Sequence, residues 1–178
     1  MTDLARLYAN LFAADPGYGQ GHHWRPVWPL ILSRLADGGS WLDVGCGRGG
    51  SILAAKEAGL PAEGCDFAPC HPWITRAALP VLPYATGGWD VVGCFDVLEH
   101  LPESDVPAAC AELRRVARRH LVVSVAECSD PRTIDGVEHE LHLTRRPAAW
   151  WVEQFGGGAS IIPTPGQPEW RTYLDITI

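Results

Sequence analysis

No apolar run in this 178-residue chain approaches the ~20 residues that cross a bilayer as a helix, so no membrane span is expected. The N-terminus passes from Thr2 and Asp3 into an amphipathic stretch, without the basic region and solid apolar block of a secretory signal, and a cytoplasmic protein is expected. The six cysteines, Cys46, Cys65, Cys70, Cys94, Cys110 and Cys128, show none of the C-x-x-C pairing of tetrahedral zinc sites. Reduced, mostly buried thiols are expected, and no metal. Positive charge is also scarce: 14 basic against 21 acidic residues give a net charge of -7, which repels a nucleic-acid backbone unless cations gather on one face. Arg114, Arg115, Arg118, Arg119 and His120 do gather, but the pattern puts them at a helix end, where cations complement the dipole and face solvent. They do not predict a nucleic-acid partner.

What is present is an ordinary complement of core-forming residues, 47% hydrophobic and 20% charged, enough for one domain without disulfides. Leu4, Leu7, Tyr8, Leu11 and Phe12 share one helical stripe and predict a helix over 3–14. The flexible Gly17-Tyr-Gly-Gln-Gly before His22-His23 reads as a flap, and a second helix runs from Pro26 to Ala36. Strands follow at 40–44 and 61–66, separated by a helix at 48–58. Next come a helical piece at 73–78, a short strand near Val81, a strand at 90–98, a helix at 102–118 and a strand at 120–126. After a polar loop at 127–143, Thr144 caps a helix through Phe155, with Trp150 and Trp151 inward. Strands at 159–162 and 172–178 close the chain as an antiparallel hairpin. Strands alternating with helices imply right-handed crossovers and a doubly wound, mostly parallel α/β sheet.

Chemistry concentrates in Trp41-Leu-Asp-Val-Gly-Cys-Gly-Arg-Gly-Gly50, a strand entering a glycine turn and then a helix. Glycines there permit a tight turn and close approach of a ligand to the backbone, while the helix start offers unpaired N–H donors. An acidic residue about twenty positions on, Asp66, ends the second strand, where a carboxylate accepts from both hydroxyls of a ribose. A turn-capping role for Asp66 is the structural alternative. These features fit a dinucleotide or adenosylmethionine equally.

Four segments in order, Leu42-Asp-Val-Gly-Cys-Gly-Arg-Gly, Cys65-Asp-Phe, Leu82-Pro-Tyr-Ala-Thr-Gly-Gly-Trp-Asp-Val-Val and Phe95-Asp-Val-Leu-Glu-His-Leu-Pro, resemble the class I S-adenosylmethionine-dependent methyltransferases across about residues 40–125. The resemblance implies a Rossmann-like, seven-stranded sheet with a closing hairpin, S-adenosylmethionine as cofactor and S-adenosylhomocysteine as product. It further implies that Asp43, Gly45, Cys46 and Gly47 line the methionine end of the cofactor. Asp66 would take the ribose, Phe67 would border the adenine, and Leu82 with Phe95, Asp96 and Val97 would complete the wall. Residues 1–178 would form one domain: N-terminal helices and flap at 1–36, cofactor core at 40–126, and substrate loop, helix and hairpin at 127–178. The sequence departs from the pattern between Asp66 and Leu82, a short interval that compresses the third strand. Ala78 also stands where relatives often carry an acid directed at the adenine amine.

Methyl transfer from a sulfonium is a displacement governed by positioning, and a base is needed only when the acceptor must lose a proton. His100 after the fourth strand, and His139 and His142 in the 127–143 loop, are the catalytic candidates; the alternative is that the loop histidines pin a lid. A small-molecule acceptor is expected. Nucleic-acid or protein methylation, a non-catalytic cofactor-binding subunit and a nicotinamide oxidoreductase are the alternatives. Phe95-Asp-Val-Leu-Glu stands where an amino-methylating Asn/Asp-Pro-Pro-Tyr/Phe would lie.

Overall fold

Every residue of strand β1 (Trp41–Val44) is buried, as expected of a strand covered on both faces of a parallel sheet. The computed structural model describes residues 3–15, 17–19, 22–134 and 136–178. Gln20 and Gly21 of the expected flap, and the side chain of Leu4, lie outside what is described. Parallel neighbours β2 (Ala62–Asp66) and β4 (Trp89–Phe95) flank β1, with Val44 opposite both Cys65 and Cys94. β3 (Thr75–Arg76) adds beyond β2 and β5 (Ala117–Ala126) beyond β4, both parallel. The last strand, β9 (Arg171–Thr177), runs antiparallel to β5 and carries β8 (Ala159–Ile161) on its outer edge. The order β3-β2-β1-β4-β5-β9-β8 is the doubly wound, seven-stranded sheet predicted, closing hairpin included. Strand order reverses between β1 and β4, so a ligand crevice belongs beyond their carboxyl ends.

Alternation along the strands loads both faces of the sheet. Leu42, Val44, Val92, Leu121 and Val123 meet α4 (Val106–Val116) and α5 (Ala148–Phe155) through Leu113, Trp151 and Phe155. On the opposite face Trp41, Val91, Val122 and Tyr173 meet α2 (Trp28–Arg34) and α3 (Gly50–Glu57) through Ile31 and Ile52. Helix α1 (Asp3–Ala14) belongs to neither core: Tyr8 and Leu11 pack with Ala68, Ile134 and Leu141 above the carboxyl edge.

Five local expectations fail. The segment expected as a helix at 73–78 instead supplies β3, and the strand expected near Val81 is a tight bridge, Ala78 to Val81, with Val81 exposed. Pro80 pushes Leu79 out of the helical region and stops any helix there, whereas extended pairing with Cys65 and Asp66 satisfies the backbone. Helix α4 stops at Val116, so Arg118, Arg119 and His120 lie on β5, where both arginines pair with Asp90. The polar loop contains a two-stranded hairpin, β6 (Pro131–Ile134) and β7 (Val137–Glu140), with Gly136 at a positive φ of 78° just before β7. Thr144 caps nothing; it is buried and donates its hydroxyl to the carbonyl of Leu101 at 2.7 Å, and α5 begins after Pro147.

The face of the sheet that carries Trp41 and Phe95 is filled to contact at Gly93, where an added Cβ would lie 2.4 Å from Trp41 and 2.6 Å from Phe95. Gly93→Ala is expected to destabilise the protein by about 1–3 kcal/mol through overpacking, read as a lower urea midpoint with an unchanged slope.

Candidate active site

A cavity of about 570 Å³ opens at the carboxyl ends of β1, β2 and β4. Its floor is the turn after Val44. The N–H groups of Gly45 and Cys46 both donate to the carbonyl of Cys65, at 2.8 and 3.0 Å, which bends the chain off the sheet. Gly45 and Gly47 take positive φ of 74° and 53°; a side chain at the first would strike Val97 and at the second the carbonyl of Gly19. Asp66 braces this turn by accepting from the N–H of Gly47 on one carboxylate oxygen at 3.0 Å and from that of Ala68 on the other at 2.9 Å. Burial raises its pKa, and these two hydrogen bonds oppose the rise.

Asp43 lies beneath the turn, accepting from the Ser51 hydroxyl, and its other oxygen has no hydrogen-bond partner among the described residues. Complete burial pushes its carboxyl up to about 7, against the lowering pull of Ser51. A buried acid with an idle oxygen suits a cationic ligand group, and Asp66 retains lone pairs for hydroxyl donors. This donor set fits S-adenosylmethionine, which carries an amine, a sulfonium and a ribose diol. Phe67 and Ala77, Ala78 and Leu79 continue the wall.

The amino-terminal segment closes one side. Arg48 donates to the carbonyls of Phe12, Asp15 and Tyr18, and its own N–H bonds Gly19, fastening the chain after α1 onto the glycine turn. Tyr8, Phe12, Tyr18, His23 and Trp24 thereby face the cavity.

At the far end, β4 is followed by Asp96 at φ 53°, a left-handed conformation that costs a non-glycine residue about 1–2 kcal/mol. Its carboxylate accepts from Ser124 at 2.6 Å and from Arg171 at 2.5 Å. His100 and His142 stand edge to face, ring centroids 4.8 Å apart. The Nδ1 atom of His142 lies 2.6 Å from the carbonyl of Cys128, and that of His100 lies 2.9 Å from the carbonyl of Leu141 and 2.8 Å from the Tyr8 hydroxyl. A carbonyl only accepts, so each Nδ1 carries a hydrogen, the arrangement that in a neutral imidazole leaves the lone pair on Nε2. Burial, reinforced by His142, lowers His100 to about 4. Glu99, wholly buried, accepts from the N–H of Ala126, and its carboxyl is raised well above the usual range by burial. Glu99, His100 and His142 bring ligand-type atoms within 4.8 Å of one another. The second carboxyl oxygen of Glu99 has no hydrogen-bond partner among the described residues.

Asp43, Gly45, Cys46, Gly47, Asp66, Phe67, Phe95, Asp96, Val97, His100 and His142 thus share one cavity. Two expected residues do not line it. Leu82 is buried in the core, its N–H donating to Glu112, because the Ala78–Val81 turn carries the chain away first. His139 lies on β7 opposite Arg132, away from the other histidines. Arg171 and Trp170, overlooked in the sequence, line the far end; a single arginine at a strand start has no local signature.

A family model described as a methyltransferase domain matches residues 20–163. Ubiquinone biosynthesis O-methyltransferase of Bordetella avium is 35% identical over a 105-residue alignment that covers 50% of this chain and 44% of that protein. The chain therefore spans less than half the length of that relative. Among solved structures, the PH0226 protein of Pyrococcus horikoshii OT3 superposes with a TM-score of 0.71 at 13% identity, covering 94% of this chain and 98% of that one. The 1,6-didemethyltoxoflavin-N1-methyltransferase of Burkholderia thailandensis, solved with 1,6-didemethyltoxoflavin and S-adenosylhomocysteine, gives 0.65 at 16% identity, covering 98% and 88%. With the glycine turn, the two strand-end carboxylates and the sheet order in place, the chain belongs to the methyltransferase-domain family of the class I S-adenosylmethionine-dependent superfamily.

Proposed function

We propose that the protein transfers a methyl group from S-adenosylmethionine to a hydroxyl oxygen of a small-molecule acceptor. The observation that carries this reading is a single cavity with Asp43, the glycine turn and Asp66 at one end and, at the other, two imidazoles each held through Nδ1 by a main-chain carbonyl. Residues 1–178 act as one domain: segment 1–36 walls the cavity, 40–126 holds the cofactor, and 127–178 contributes His142 and the closing strands. Among the described residues no helix is long and apolar enough to cross a membrane, and a cytoplasmic location accords with the reading. Arg118 and Arg119 are engaged with Asp90, which leaves little basic surface there for a phosphate backbone.

In this reading Asp66 accepts the ribose hydroxyls, Asp43 faces the cationic end of the cofactor, and Phe67 borders the adenine. The cofactor supplies an electrophilic methyl whose C–S pair stays with sulfur, leaving S-adenosylhomocysteine. His142 holds Nε2 free to take the acceptor hydroxyl proton as the O–C bond forms, while the Cys128 carbonyl fixes its tautomer. His100, tied to Tyr8 and Leu141, positions His142 by edge-to-face contact. The N-terminal wall excludes water from the sulfonium.

Three outcomes test the reading. Asp66→Ala should weaken S-adenosylmethionine binding by roughly tenfold to a hundredfold in calorimetry, and should lower Tm because Gly47 and Ala68 also lose their acceptor. His142→Ala should reduce kcat by about 10²–10⁴ on a hydroxyl acceptor with cofactor affinity retained; unchanged turnover removes His142 from catalysis. A cation beside Asp43 favours its ionised form, so binding lowers a carboxyl that stood near 7 and expels a proton. Titration at about pH 6.5 in buffers of different ionisation enthalpy should show net proton release, lost in Asp43→Asn; no buffer dependence would contradict the pairing.

A further inference from the structure

Beyond the methyl-donor end, the cavity contains one feature the reaction outlined above leaves unused. Arg171 is the first residue of β9 and sits opposite Ala126, the last residue of β5, beside the end of β4. That rim is where an acceptor must lie to reach the methyl group. The Arg171 side chain is only 10% exposed, yet it lines the cavity. Three contacts fix it: Asp96 at 2.5 Å, His23 Nδ1 at 2.6 Å, and the Trp170 ring, 4.8 Å from its guanidinium carbon.

The partners say what the arginine is held for. Arginine only donates, so His23 Nδ1 is bare and its hydrogen sits on Nε2, which faces Asp96 at 3.5 Å. Burial lowers the His23 pKa, the guanidinium adds to this and Asp96 opposes it, so the ring contributes no cation. Both oxygens of Asp96 are engaged, one by Ser124 and one by Arg171, and the residue stands at a left-handed φ. Strained backbone persists where the surroundings over-determine it, characteristically at ligand clamps. The remaining N–H donors of Arg171, including a buried Nε that has no hydrogen-bond partner among the described residues, are thus held rigidly, at little further ordering cost on binding. Asp96 offsets one positive charge, and a bound sulfonium restores another. A guanidinium with donors to spare, at a site to which a bound sulfonium adds positive charge, suits a negative ligand group.

We infer that Arg171 is the recognition group for a carboxylate on the acceptor, so that the substrate class is a small organic acid whose apolar body rests against Trp170, Leu101 and Val97. This rests on the methyltransferase reading, deepening it from any small hydroxyl compound to an acid. A planar guanidinium forks two parallel bonds to a carboxylate, and an isosteric amide offers only one acceptor oxygen and no charge. The anion is also bound more strongly beside a sulfonium than beside the neutral thioether left after transfer, which aids product release.

The test uses the full chain saturated with S-adenosylhomocysteine and titrated with benzoate and with benzamide. Benzoate should bind saturably and benzamide roughly tenfold or more weaker. Arg171→Gln should abolish the preference, with Arg171→Lys retaining part of it, each variant checked for bound S-adenosylhomocysteine. Absence of benzoate binding, equal affinity for the two probes, or a full preference surviving in Arg171→Gln would overturn the inference. Should Arg171→Gln not fold, the two probes on the unaltered protein and on Arg171→Lys decide it. Failure to bind S-adenosylhomocysteine at all would instead defeat the methyltransferase reading.

Discussion

The carboxylate of Asp66 ties the second strand to the turn that ends the first. Its two oxygens hold the N–H groups of Gly47 and Ala68, so the glycine turn and the loop after β2 are set against one buried charge. A charge taken out of water is tolerated only when hydrogen-bonded, and these donors meet that condition in the free protein. The same constraint fixes the amino-terminal wall, because Arg48, the next residue after the braced Gly47, anchors Phe12, Asp15 and Tyr18. One carboxylate therefore organises floor and wall together.

The far end depends on a second buried pairing, Asp96 with Arg171, which links the end of β4 to the start of β9. Breaking either partner leaves an uncompensated charge, so the antiparallel strand that closes the sheet is also an electrostatic part of the cavity. Between the two ends stand imidazoles whose tautomers are set by main-chain carbonyls of Cys128 and Leu141. The hairpin β6–β7 lies between those two residues in sequence and packs Ile134 against Tyr8 and Leu11, so the carbonyls that hold the imidazoles and the packing of α1 share a scaffold.

Legibility in the sequence followed locality. β1, β2, α3 and the closing hairpin were readable because burial pattern, glycine turn and proline or glycine stops act within a few residues of one another. Asp43, Gly45, Gly47 and Asp66 were readable because strand-end position alone brings them to the crevice. Residues 73–81 were misread because apolar content without a clear period does not separate a helix from a short paired strand, and pairing to β2 decided it. Arg118 and Arg119 were misread because a helix-end charge pattern and a strand edge facing Asp90 look alike until β4 is beside them.

By itself the sequence determined a parallel α/β sheet, its crevice and the carboxylates at its lip, since strand periodicity and glycine conformation are local properties of the chain. Tertiary structure alone decided that His142 joins His100 while His139 does not, that Leu82 turns into the core, and that Arg171 reaches Asp96 from 75 residues away. Those outcomes depend on which strands pair and where a hairpin folds back, and long-range pairing is set by burial and charge compensation across the whole molecule.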